Sequence, residues 1–171
     1  MAEELKPFNK KPITTELDMG LVDRVLEGRT GIVVHDIARS GIEAGRGSMV
    51  FGGGPLKVDF FRGVDVVPGV DPSWIGVRGI NITKPVLSTE KWRLCALEVG
   101  VAICALNLPP ELSGTTIVIA MNPFYKSDFS LVPCCLQIVT GPNETRVLTV
   151  HGPAHCSYYP VDALVAFVAV T

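Results

Sequence analysis

The residues best suited to chemistry lie together near the C-terminus, in His151-Gly152-Pro153-Ala154-His155-Cys156. Two histidines four apart suit zinc when a helix sets both on one face, with His35 and Asp36 as remote partners. Gly152 and Pro153 exclude that helix, so His151 and His155 read as ordinary loop histidines, and neither a metal nor a cofactor is expected. Cys156 with His35 could form a nucleophile and base, yet no local signature marks the pair and no Gly-x-Ser-x-Gly elbow occurs. Asp59 and Asp65 are expected on exposed strand edges as solvated carboxylates. The run Gly52-Gly53-Gly54 precedes Pro55 and a strand-like segment, not a helix with Lys-Ser or Lys-Thr, so it predicts a turn and not a phosphate loop. The chain is therefore read as non-enzymatic, with no catalytic residue.

Binding is the next possibility. Lys6, Lys10 and Lys11, set around Pro7 and Pro12, predict an extended N-terminal arm over residues 1–14. Such an arm is either a solvated tail or a contact to phosphate or a neighbouring subunit, and these three lysines are the candidate nucleic-acid contacts. A formal charge of −2 argues against a strongly basic nucleic-acid binder and leaves a local contact with few phosphates. The loop from Asn122 to Pro133 carries Phe124, Tyr125 and Phe129 and reads as a packing or contact loop.

The elements that must hold these residues are mostly strands. Glu16 to Glu27 predicts one amphipathic helix, with Leu17, Leu21, Val22, Val25 and Leu26 at helical spacing and Gly28 to end it. Short strands are expected over Gly31 to Ile37, Leu56 to Phe61 with an extension over Val64 to Val67, and Trp74 to Ile82 with a kink near Gly79. A glycine-punctuated loop over Ser40 to Ser48 separates the first two. Apolar residues at Cys95, Leu97, Val99, Val101, Ile103 and Ala105 predict a long strand, which Pro109-Pro110 separates from a second at Thr115 to Met121. Cys134 to Thr140 and Thr145 to Val150 predict a hairpin. Val161 to Val170, apolar at both parities, predicts a buried closing strand.

Hydrophobic residues make up 47% of the 171 and charged residues 19%, with 17 Gly and 13 Pro, which suits a β-rich fold with many turns. No apolar stretch is long enough for a transmembrane helix, so no membrane insertion is expected. The polar start MAEELKPFNKKP resembles neither a secretory signal nor a presequence, which predicts a cytosolic origin and reduced, buried cysteines. From Leu94 onward only seven of the 32 charged side chains remain. That imbalance predicts exposed apolar area that copies of the same chain would cover.

The sum is an all-β fold, a single domain over residues 15–171 behind the 1–14 arm, built as a β-sandwich of about 8–10 strands with one N-terminal helix. The order of segments in its second half resembles the single jelly roll of coat proteins from small icosahedral RNA viruses. It has a Leu-Glu-Val strand, a Pro-Pro loop, a Thr-Thr-Ile-Val-Ile strand ending at Asn122-Pro123, two further strands and a closing apolar strand. The same order is similar to the core of plant-virus movement proteins. The coat-protein resemblance implies a capsid subunit that forms a homo-oligomeric shell, contacts single-stranded RNA through few basic residues, and resides in the virion or host cytoplasm. The movement-protein resemblance implies single-strand nucleic-acid binding. A small β-sandwich enzyme or ligand-binding protein, with a pocket lined by His35, His151 and His155, is the third expectation.

Overall fold

The computed structural model describes residues 4–16, 19–28, 31–45, 55–66, 86–106, 108–121, 135–140, 145–151 and 163–170. Within them the chain is β-rich, with eight strands in one mixed sheet and four helices around it. The chain enters at β1 (Ile13–Glu16) and turns into α1 (Met19–Leu26), which buries Val22, Val25 and Leu26. Gly28, at φ 77°, donates to Val25 O just past the helix, in the left-handed conformation that favours glycine there. The two-residue β2 (Val33–Val34) leads into α2 (Asp36–Gly45). Then come β3 (Pro55–Arg62), the single turn α3 (Gly63–Val66), β4 (Trp92–Arg93), α4 (Leu97–Ala105) and β5 (Ile117–Ile119). The strands β6 (Cys135–Thr140), β7 (Arg146–His151) and β8 (Leu164–Ala169) complete the described chain.

The sheet runs β1-β3-β8-β5-β6-β7-β2, and β4 also pairs with β8. Two pairings are parallel, β5 with β8 and β2 with β7, and the others are antiparallel. The closing strand is thus the centre of the sheet. Its side chains alternate between two cores: Leu164, Ala166 and Val168 face the one shared with α1, α2 and α4, while Val165 and Phe167 join Phe61, Val86, Trp92 and Val118. Burial on both faces explains why β8 is apolar at both parities, as expected for an interior strand.

Several expectations are corrected. The segment predicted as a long strand from Cys95 onward forms α4, in which Val99, Gly100, Val101, Ala102, Ile103 and Cys104 are all buried. A helix buried on every side carries no single stripe, so alternation alone does not separate it from a strand. The glycine-punctuated stretch starts as α2, where Ala38 and Ile42, one turn apart, are fully buried. The extension past Arg62 is helical, held by Arg62 donating to both carboxylate oxygens of Asp65 at 2.9 Å. The single expected helix is therefore joined by three more. Thr14 lies in β1 and pairs with Lys57. The predicted strand over Trp74 to Ile82 and the Asn122 to Pro133 loop lie outside the described residues.

Among the described residues, the apolar side chains of the charge-poor C-terminal half are mostly buried within the chain itself, because β8, β5 and α4 form the interior. Among the described residues the exposed large hydrophobics are Phe8, Val33 and Val170. No helix there is long and apolar enough to cross a membrane.

Candidate functional site

Two surfaces could make contacts outside the chain: the N-terminal segment with its lysines, and the sheet face that ends at β2. The first is fixed by a buried polar cluster. Asn9 accepts from the Phe60 N–H through Oδ1 at 2.8 Å, while its Nδ2 donates to Lys11 O at 2.6 Å and to Asp59 Oδ1 at 3.3 Å. Asp59 Oδ2 accepts from Trp92 Nε1 at 2.8 Å, and Phe8 N–H donates to Phe60 O. Asn9 and Asp59 are both buried, and a buried amide and carboxylate need such partners. Lys6, Lys10 and Lys11 remain exposed on either side of Asn9. The structure thus holds all three lysines on one anchored segment, with Lys91 also paired to Glu4 at the surface.

Asp59 is a second correction, since it is buried and not a solvated edge carboxylate. Its strand lies between β1 and β8, and Trp92 of β4 closes over it. The signal in the sequence was an acid inside the apolar run Val58-Asp59-Phe60-Phe61, which as a central strand has no exposed face. Asp65 sits apart on α3, paired with Arg62, so the two acids form no catalytic pair.

On β6, β7 and β2 the inner face carries Leu136, Ile138 and Leu148, all buried, with Val34 packed against the same core. Val139, Val147 and Val33 alternate with these and lie in one row, because Val139 pairs with Val147 and Val147 with Val33. Side chains at such paired positions are neighbours. Val139 and Val147 are half-buried and belong to neither core, while Val33 is 47% exposed on the terminal strand of the sheet. The second core covers this same face over β3, β8 and β5 and stops there among the described residues.

His35 lies next along this edge, with Nδ1 3.2 Å from Thr149 Oγ1 and the ring exposed. The backbone of His151 pairs with Cys135 at the end of β7, while His155 and Cys156 lie outside the described residues. Among the described residues no three His, Cys, Asp or Glu side chains converge to hold a metal. Cys95 and Cys104 are free, buried thiols, and burial pushes each up to about 12, against the weaker opposing pulls of Arg93 and Arg146. A thiol held protonated is a poor nucleophile.

Compared with protein-family models, curated proteins and solved structures, the chain matches none.

Proposed function

We propose that the protein is a non-enzymatic structural subunit that associates with copies of itself, and that the assembly is a viral shell in which it serves as coat protein. The observation that carries the reading is the row Val139, Val147 and Val33, an apolar strip running to a sheet edge that is open among the described residues. A second copy is the occupant that fits. The strip has no charged residue among its three members, and one edge with one apolar strip suits the self-complementary contact of a symmetric pair. The order of segments in the second half, similar to that of jelly-roll coat proteins, supports the shell as the form of assembly. The parallel pairings of β5 with β8 and of β2 with β7 depart from an antiparallel jelly roll, so the shell draws on segment order and the self-association on the strip.

Lys6, Lys10 and Lys11 supply the contact with single-stranded RNA. Three lysines release few counterions, so binding should be weak and fall with salt on a shallow slope. Size-exclusion chromatography with light scattering at two salt concentrations tests the reading. Uniform particles of megadalton mass in negative stain support a shell, and a monodisperse monomer or dimer overturns it.

A further inference from the structure

At one end of the larger core, the turn from Leu108 to Thr115 together with β5, β6 and β7 leaves a cavity of about 390 Å³. Its inner wall is apolar, from Leu108, Leu112, Ile117 and Ile138, and its polar end is formed by Thr140 and Arg146, which face each other as a cross-strand pair. The turn after Pro109 is braced, with Leu112 N–H and Ser113 N–H donating to Pro109 O at 2.9 and 3.0 Å, and Thr115 Oγ1 donating to Leu112 O.

Arg146 decides what this cavity can hold. Its Nη1 donates to Cys104 O at 2.8 Å and to Leu106 O, satisfying carbonyls at the end of α4. That fixes the guanidinium plane. Among the described residues no carboxylate pairs with Arg146, and Nε and Nη2 make no hydrogen bond. A guanidinium held by one nitrogen, with Nε and Nη2 unpaired among the described residues, presents the fork that a carboxylate meets with two parallel bonds. A lysine at this place would be a point charge without that geometry. The volume lies within the range of small-molecule sites, which pair apolar walls with a few placed polar groups.

We propose that the cavity binds a small carboxylate carried on an apolar body, with the carboxylate on Arg146 and the body against Leu108, Leu112, Ile117 and Ile138. The site is independent of self-association and would stand if the chain were a monomer.

The probes are octanoate and octan-1-ol, which share a body and differ in the charged head. Isothermal titration of the full chain should give saturable octanoate binding, weaker for octan-1-ol by about tenfold or more, the worth of charge-assisted hydrogen bonds. Thr140→Glu sets a carboxylate beside Arg146 from an exposed position and leaves the α4 contacts in place; it should abolish octanoate binding without lowering the melting temperature. Arg146→Lys, as a second variant, should weaken octanoate by about tenfold through loss of the fork. The proposal is overturned if octanoate shows no saturable binding to the wild-type chain, if octan-1-ol binds as well, or if folded Thr140→Glu binds octanoate unchanged.

Discussion

Trp92 Nε1 donates to Asp59 Oδ2 at 2.8 Å, and this bond joins β4 to β3, where Asp59 also accepts from Asn9 of the segment that carries the lysines. Trp92 also packs edge-on against Phe61, with ring centroids 4.9 Å apart, and Phe61 packs the same way on Phe167 of β8. The carboxylate thereby ties the N-terminal segment, through Asn9, to the centre of the fold.

Replacing Asp59 with Ala leaves the Trp92 N–H without its acceptor and takes one partner from Asn9. A buried hydrogen bond to a charged acceptor is worth about 1.5–3 kcal/mol, so Asp59→Ala should lower the stability by about that much in urea unfolding. An unchanged midpoint would show that the carboxylate does not hold the segment.

Asn9→Ala separates anchoring from stability of the whole. Trypsin should cut after Lys10 faster than in the wild type, with the sheet still intact, because local opening exposes the backbone; the Lys6–Pro7 and Lys11–Pro12 bonds resist the protease. The surface pair of Glu4 with Lys91 is too exposed to compensate, since such pairs contribute little.

Gly100 sits where α4 meets the sheet, and a Cβ there would lie 3.1 Å from both Ile119 Cγ2 and Leu136 Cδ1. Gly100→Ala asks those side chains to move slightly while it gains about 1 kcal/mol of helix propensity, so it should be near neutral. Gly100→Val adds two more carbons to the same contact and should destabilise by about 1–3 kcal/mol in denaturant unfolding.

How much of this was legible in the sequence depended on whether one face of an element meets water. The helix ending at Gly28, strand β3 and the hairpin of β6 and β7 were readable because turn residues or a changing side-chain pattern bound them. The burial of β8 followed from apolar residues at both parities. In α4 the same continuity misled, since Leu97 to Ala105 is equally apolar along a strand or around a helix, and only the packing of Gly100 on Ile119 and Leu136 decides. The helix α2 hid behind Ser40, Gly41 and Gly45, with Ala38 and Ile42 too small a signal. Of the candidate contacts, Lys6, Lys10 and Lys11 were named from sequence and are exposed, but their anchor was not. Asn9 and Asp59 are 50 residues apart, and no local spacing brings them together. The cavity at Arg146 has the same character, for its walls come from three separate stretches.

The buried thiols give a pH dependence of definite sign. In the unfolded chain Cys95 and Cys104 ionise near their ordinary 9.0, whereas the folded state holds each proton up to about 12. The folded state therefore binds more protons in that window, and stability falls as pH rises from about 9 to 12. The loss is about 1.4 kcal/mol per pH unit for each thiol, and below pH 9 these groups add no slope. Alkylation at pH 8 read by site-resolved mass spectrometry should leave both unlabelled until denaturant is added; rapid labelling in the native protein would contradict their burial.

Self-association through the β2 edge is tested most directly by sedimentation velocity of the wild-type chain beside Val33→Asp. Val33 is 47% exposed, so the substitution should leave the fold and its melting temperature unchanged while placing a charge in the apolar strip. The wild type should sediment as large, uniform assemblies and Val33→Asp as monomers or small oligomers. A wild type that stays monomeric at every concentration, or a folded Val33→Asp that assembles as fully, would contradict the account.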